Sequence, residues 1–445
     1  MSRLTKDDIF RLVEEEDVEF IRLQFIDIYG MCKNIAVTAD HLEEALDHQF
    51  SVEAAGISGF STSRCEELYL YPDLDTFEIL PWRPQHGKVA RFFCNVCTED
   101  GEPYECDSRY ILQKVLDQAA GKGLSFEIYP ELEFYLFHLD DFGRPTTLTH
   151  EQAGYLDVAP ADLGENVRRD IIQNLQEMGF QITSSHHEMA PAQHEIDFVG
   201  DRADRIADQI VTYKMAVKTV ARKHGLHATF MPKPKSGQFG SGMHFVLRAF
   251  DAEGKDAFLD PSDPSGLSEL GRAFLAGTLA HIRAISLVTN PLVNSYKRLV
   301  RGFDAPVDVC WSDRRSNRSA LIYVSHKKDR VSLELRNPDC TCNPYLALAL
   351  SIAAGLDGID TGMELPAGTD RNLFHLSYEE LRDLKIERMP GTLGEAMAAY
   401  AKDEMILEIL GRETWESYLK AKRKEWKEYR SAVSQWELDR YLSMY

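Results

Sequence analysis

The stretch Ser185-His186-His187-Glu188-Met189-Ala190-Pro191-Ala192-Gln193-His194-Glu195-Ile196-Asp197 crowds three histidines and three acids into thirteen residues. Ordinary surface polarity does not need that density of nitrogen and oxygen donors. It points to a site for divalent cations, and oxygen-rich donors favour Mg²⁺ or Mn²⁺ over zinc.

Other segments extend the same chemistry. In Tyr129-Pro130-Glu131-Leu132-Glu133-Phe134-Tyr135-Leu136-Phe137, Glu131 and Glu133 flank a leucine. Residues i and i+2 of a strand share a face. Two carboxylates side by side repel unless a cation lies between them. A solvent-facing pair is the alternative, and the aromatic run after them favours burial. Glu334 and Arg336 have the same spacing, as one carboxylate and one guanidinium on a face or as a structural ion pair.

The glycine-punctuated run Lys233-Pro234-Lys235-Ser236-Gly237-Gln238-Phe239-Gly240-Ser241-Gly242-Met243-His244 lets backbone approach a ligand closely. It matches neither a Walker A nor a Rossmann fingerprint. Lys297, Arg298, Arg301, Arg314, Arg315 and Arg318 follow, and guanidinium groups suit carboxylates and phosphates. Carboxylates for cations and arginines for anions suggest metal-assisted phosphoryl or acyl-phosphate chemistry.

The bulk numbers agree. At 445 residues the chain buries a large core and is expected to form more than one domain. A net charge of −21 argues against nucleic-acid binding. There is no long apolar run for a membrane span and no signal-peptide pattern at Met1–Asp7. The expectation is an intracellular, cytoplasmic protein. Eight cysteines are too dilute for a disulfide framework. Cys94 and Cys97 lie in a strand-like run and read as a buried reduced pair; Cys340 and Cys342 read as loop packing.

Thr5 with Asp8 signals a helix start. Strands are expected at Glu19–Ile28 and Val89–Val96, within a small α+β domain. From Asp107 onward helices and strands alternate. Helices are expected at Asp107–Ala120, Asn166–Met178, Arg202–His224 and Leu267–Thr289. Strands are expected at Phe126–Phe137, Met243–Phe250, Ser319–Tyr323 and Val331–Arg336. The C-terminal third reads as helical at Leu346–Leu356, Tyr378–Leu384, Thr392–Lys402 and Thr414–Ala432.

Taken together, these blocks resemble glutamine synthetase of the bacterial and archaeal type I. The matching stretches also include Gly30-Met31-Cys32-Lys33-Asn34, Leu70-Tyr71-Pro72-Asp73, Lys88-Val89-Ala90-Arg91, Phe230-Met231-Pro232, Asn290–Val300, Asn317–Ile322 and Asn343–Ala347. The resemblance implies an α+β fold. A β-grasp domain over 1–105 would precede a catalytic domain over 106–445, with a curved antiparallel sheet flanked by helices. It also implies a dodecamer of two hexameric rings, active sites between neighbouring subunits, and a tail, Trp436–Tyr445, that reaches the opposite ring.

Carried over residue by residue, Glu133, Glu188 and Glu195 match one metal site; Glu131, His244 and Glu334 match the other. Two Mg²⁺ or Mn²⁺ ions per active site are implied, with ATP as co-substrate. Glu133, Gly240, His244, Arg298 and Arg336 match the glutamate site. Arg318 matches a residue that stabilises the transferring phosphoryl group. His186, His187 and His194 then become supporting or packing residues. The implied reaction is ATP-dependent ligation of ammonia to the γ-carboxylate of glutamate through γ-glutamyl phosphate.

The chain also departs from the pattern. Val52-Glu53-Ala54-Ala55-Gly56-Ile57 replaces an Asp and Gly-Ser-Ser, and Asp304 stands for the flap glutamate. Glu53 and Asp304 are the acceptor-side catalytic candidates, and their exchanged lengths move the charge of an ammonium pocket. Gly56 removes a hydroxyl and adds room. Thr183, Tyr323 and Ser332 replace a glutamate and two arginines on the nucleotide side, while Val246 and Arg248 replace shorter polar groups. Phe239 replaces an asparagine, Phe374 a modifiable tyrosine, and Thr62 a feedback arginine, with Arg64 nearby. Three readings follow: an ammonia ligase, a γ-glutamylamide ligase for an organic amine, and a non-catalytic assembly.

Overall fold

The computed structural model describes residues 4–60, 66–83, 86–149, 151–314, 316–327 and 329–445. Thr62, Arg64 and Arg315 lie outside the described residues.

The N-terminal part begins with α1 (Lys6–Glu15), which opens on a capping box. The Thr5 side chain accepts from the Asp8 amide, and Asp8 reaches back to Thr5. Strands β1 (Val18–Ile26) and β2 (Cys32–Thr38) follow, then α2 (Leu42–Leu46), β3 (Ser51–Glu53), β4 (Glu67–Pro72), β5 (Glu78–Ile79) and β6 (Lys88–Cys97). They form a sheet in the order β2-β1-β6-β4-β3, with β5 also on β6. β1 and β6 run parallel at its centre, as a β-grasp requires. Cys94 and Cys97 are unpaired on β6; burial pushes both thiols up, Cys97 to about 11.

α3 (Ser108–Gly121) is capped by Asp107 and leads into β7 (Ser125–Leu139). The next elements are β8 (Pro145–Thr149), α4 (Glu165–Glu177), β9 (Ile182–His187), β10 (Gln193–Phe198), β11 (Asp201–Arg202), α5 (Ala203–Lys223), β12 (Leu226–Thr229) and β13 (Met243–Phe250). After α6 (Glu269–Thr289) and α7 (Ser295–Arg298) come β14 (Trp311–Ser312), β15 (Ile322–Lys327) and β16 (Arg330–Leu335). The chain ends with α8 (Pro344–Thr361), α9 (Tyr378–Asp383), α10 (Leu393–Tyr400), α11 (Glu404–Ser431) and α12 (Gln435–Tyr441).

The large sheet runs β14-β15-β16-β13-β7-β10-β9, with β8, β11 and β12 also on β7. Pairing is antiparallel except between β14 and β15, so the sheet is mixed where an antiparallel one was expected. β7 is its spine. Proline removes a ladder donor and is poorly tolerated inside a sheet. Pro130 sits opposite the gap where β11 has left β7 at Ile128 and β10 has not yet joined at Glu133.

One face of the sheet is covered by helices. α6 and α8 pack closely because a Cβ at Gly277 would strike the Ala354 carbonyl, and one at Gly358 the Ala273 carbonyl. Phe126, Phe258 and Phe274 fill the space beneath. The other face carries alternating polar side chains, and the site lies there.

Two expected elements move. The strand expected at Ser319–Tyr323 lies at Ile322–Lys327. The Arg318 and Ala320 carbonyls accept from Arg336, a side chain, instead of joining a ladder. The last long helix starts at Glu404, ahead of Thr414, capped by Asp403 and kinked at Gly411. Among the described residues no helix is long and apolar enough to cross a membrane.

Candidate active site

On β7 the burial alternates, with Phe126, Ile128, Leu132 and Phe134 buried and Glu127, Tyr129, Glu131 and Glu133 half-buried on the opposite face. The cross-strand register places other side chains beside these carboxylates. His244 on β13 lies opposite Glu131, and Glu334 on β16 shares the face. His244 Nδ1 is 3.0 Å from Glu131 Oε2 and 3.5 Å from Glu334 Oε1. Two carboxylates and one imidazole converge there with ligand atoms within 4.8 Å of one another.

A second cluster forms a row across three strands. Glu133 on β7 lies opposite Glu195 on β10, and Glu195 lies opposite His186 on β9. His186 Nε2 is 2.8 Å from Glu188 Oε1 and 4.0 Å from Glu195 Oε2. Glu133 accepts from the Gly242 amide at 2.9 Å and from Gln193 Nε2 at 3.0 Å.

The electrostatics show an excess of negative charge. Burial, then the charge of Glu188, pushes Glu133 up to about 7. Burial, then Asp197 and Glu133, holds Glu195 well above the usual carboxylate range. Burial alone would raise Glu188, but the hydrogen bond and charge of His186 hold it low. A divalent cation would relieve this repulsion, and the donors in both clusters are mainly carboxylates. The residues therefore fit Mg²⁺ or Mn²⁺.

His187 and His194 are fully buried behind this row. His187 Nδ1 is 2.7 Å from the Glu188 carbonyl and Nε2 is 2.9 Å from Glu151. Glu151 also accepts from the Ala192 amide, in the turn that joins β9 to β10. Arg168 lies 2.9 Å from His194 Nδ1 and 2.8 Å from Asp162.

The glycine-rich loop meets this face from the side. The Gly240 carbonyl accepts from Gln193 Nε2 at 3.1 Å. A Cβ at Gly242 would lie 2.6 Å from Arg298 Nη2, so glycine lets the loop lie against that guanidinium. Arg298 is buried and donates to the carbonyls of Asn337 at 2.8 Å and Arg336 at 3.0 Å. Arg336 donates to Ala320 at 2.8 Å, Arg318 at 3.0 Å and Asp304 at 3.1 Å. Both arginines therefore brace the loops around the site. Asp304, in the left-handed region at φ 51°, pairs its carboxylate with Arg318 Nη1 at 3.1 Å.

Two family models match the chain: "Glutamine synthetase, catalytic domain" over residues 105–441 and "Glutamine synthetase, beta-Grasp domain" over residues 17–99. The chain belongs to the glutamine synthetase family. The glutamine synthetase of Clostridium saccharobutylicum is 46% identical over 446 residues, covering 100% of both chains. That of Staphylococcus aureus strain MW2 is 45% identical over 443 residues, covering 99% of each. A solved GmaS–ADP complex is 30% identical with a TM-score of 0.88, covering 98% of this chain and 99% of that one. GmaS without ligand superimposes with a TM-score of 0.87, at the same identity and coverage.

Against this family background some residues stay apart. Glu53 is exposed on β3, opposite Glu67. Among the described residues no contact joins it to Asp304 within one chain. Tyr323 is buried, donates to the Asn317 carbonyl at 2.5 Å, and lies under the Arg336 guanidinium. Ser332 lies opposite Ser325, and Thr183 is exposed on β9. Arg248 reaches Tyr129 Oη at 3.3 Å and Glu127 at 3.7 Å. Phe374 packs against the core.

Gln193, which ties Glu133 to Gly240, was not singled out from sequence. Its signal was present: Gln193 and Glu195 are two apart on a strand and share a face. His186 and Glu188 have the same spacing.

Proposed function

We propose that the chain is an ATP-dependent ligase that joins ammonia to the γ-carboxylate of L-glutamate. The observation that carries this reading is the pair of carboxylate-rich clusters, Glu131–His244–Glu334 and His186–Glu188–Glu195, with Glu133 opposite Glu195 on the neighbouring strand. They lie beside the Gly240 loop and the Asp304–Arg318 pair. The division into domains 1–105 and 106–445 belongs to the same reading.

Two Mg²⁺ or Mn²⁺ ions held by these clusters would neutralise phosphate oxygens during transfer. A γ-carboxylate oxygen attacks the terminal phosphorus of ATP, the bond to ADP breaks, and γ-glutamyl phosphate forms. Arg318 offers a guanidinium to the transferring group. Arg298, Arg336, His244 and backbone at Gly240 orient glutamate. The ammonia lone pair then attacks the acyl carbon, phosphate leaves with its electron pair, and a proton passes to Asp304. Glu53 would reach the same pocket from a second copy of the chain, which fits a ring-forming dodecamer. The exposed apolar side chains of the tail, including Trp436, Leu442 and Tyr445, support such an assembly.

A second reading uses an organic amine as acceptor. The likeness to GmaS and the open space around Gly56, where an added Cβ meets nothing within 4 Å, favour it. A single assay separates the two. Purified protein receives glutamate, Mg-ATP and, in turn, ammonium, methylamine, ethanolamine or putrescine, and phosphate release is measured. The highest kcat/KM with ammonium supports the first reading. Activity confined to a larger amine replaces it with the second, and no turnover under Mg²⁺ or Mn²⁺ removes both.

A further inference from the structure

Behind the Glu133–Glu195–His186 row lies a further group of buried, ligand-type side chains, Glu151, His187 and His194, with donor atoms within 4.8 Å of one another. Its nitrogens are already committed. A guanidinium can only donate, so His194 Nδ1, 2.9 Å from Arg168, accepts and the ring proton sits on Nε2. His187 faces an oxygen at each end: the Glu188 carbonyl lies 2.7 Å from Nδ1 and Glu151 Oε1 lies 2.9 Å from Nε2. Both of its nitrogens therefore carry protons, and the Glu151 carboxylate balances the imidazolium charge. The chemistry is that of a support for the neighbouring site, not of a third cation site.

Glu151 comes from the segment between β8 and α4, yet it serves the turn between β9 and β10. It accepts from the amides of Ala153 and Ala192. Ala192 is in the left-handed region at φ 61°, a conformation that alanine keeps only when its surroundings hold it. Its carbonyl accepts from the Leu136 amide on β7 at 2.9 Å. The Gln193 carbonyl accepts from the Glu188 amide at 2.8 Å, and Gln193 Nε2 donates to Glu133. One carboxylate thus holds both ends of the turn 188–193: the Glu188 end through His187 and the Gln193 end through Ala192.

We propose that Glu151 and His187 are positioning residues that aim Glu188 at Glu133 and Glu195, so that the three carboxylates take up a divalent cation together. This rests on the ligase reading above, in which those carboxylates hold one of two cations. Neither Glu151 nor His187 touches the ion. Without them the Glu188 carboxylate is free to settle on His186, 2.8 Å away, and to leave the other two without it.

The test titrates metal-stripped, full-length protein with Mn²⁺, followed by electron paramagnetic resonance, so that binding is read without turnover. The unaltered protein should bind two ions per chain, and Glu188→Gln identifies the step that belongs to its cluster. Glu151→Gln should raise the Kd of that step about 10- to 100-fold and leave the Glu131–His244–Glu334 step unchanged. His187→Gln keeps a donor toward Glu151 but removes the one to the Glu188 carbonyl. It should weaken the same step, and it carries the test if Glu151→Gln does not fold. Unchanged affinity at that step in both variants overturns the positioning role. An equal weakening of both steps also overturns it, as a general loss of structure, and so does the loss of a third bound ion, which would make the triad a metal site itself. If the unaltered protein binds no Mn²⁺ at all, the cation reading of the two clusters fails and the positioning role falls with it.

Discussion

The guanidinium carbon of Arg336 lies 4.7 Å from the ring centroid of Tyr323. Tyr323 stands where the family pattern has an arginine. A second cation there would repel Arg336, whereas the ring attracts it and the hydroxyl is satisfied by the Asn317 carbonyl. Under the proposed ligase reading, the tyrosine removes a charge from the nucleotide side and adds support on the glutamate side.

Tyr323→Ala should therefore weaken glutamate binding more than nucleotide binding. A cation–π contact contributes about 0.5–2 kcal/mol, so the KM for glutamate should rise about 2- to 30-fold. Tyr323→Phe retains the ring and should change it little. Steady-state kinetics with each substrate varied would check this, and an equal rise in both KM values would contradict it.

Glu188→Ala should abolish turnover while leaving the fold, and the proposed assembly, intact. The carboxylate contacts His186 and the Met189 amide, and neither contact holds two elements of the core together. Phosphate release should drop at least about a hundredfold under saturating Mg²⁺, with an unchanged sedimentation profile. Retained activity would remove Glu188 from the proposed metal site.

His281 on α6 should make stability depend on pH. Its Nδ1 lies 2.7 Å from Asp403 and its Nε2 lies 2.9 Å from Asp357 on α8. The Asp403 hydrogen bond, opposed by burial, raises its pKa above the usual 6.5. The folded state thus holds the proton more tightly than the unfolded chain. The stabilisation is full below pH 6.5 and is lost as pH rises through the folded value. His281→Leu should lower stability by about 1–3 kcal/mol at pH 6, with a smaller loss at pH 9. Thermal melts of both proteins across that range would show it, and a pH-independent difference would refute it.

Gly277→Ala should destabilise the chain outright. The added methyl meets the Ala354 carbonyl, a backbone atom that cannot rotate away. Overpacking of this kind costs about 1–3 kcal/mol. A melting temperature equal to that of the unaltered protein would mean that α6 and α8 separate without strain.

Much of this was legible in the chain because the decisive signals are local. The two-residue spacing of Glu131 and Glu133 reports their shared face, and the strand expected at Met243–Phe250 has those bounds. The Ser319–Tyr323 segment departs from a strand because the Ala320 carbonyl, with that of Arg318 just before it, is taken by the Arg336 side chain, whose reach across the fold has no local signature. Gln193 was overlooked because a single amide carries no motif, although its spacing from Glu195 is informative. Glu53 is a different case: the pocket proposed for it would be completed by a second chain, and one chain's contacts would then not contain it.

The placing of Glu131 and Glu133 together on β7 bears on how this chain can diversify. A one-residue slip of a strand sends every side chain to the opposite face, so Glu131 and Glu133 are retained or lost as a unit. Gly56, Phe239 and Asp304 lie instead in loops or short turns outside the strands. Residues there can be exchanged without moving the carboxylates. Under the proposed ligase reading, the scaffold separates a phosphoryl-handling half that resists change from loops free to explore new nitrogen nucleophiles.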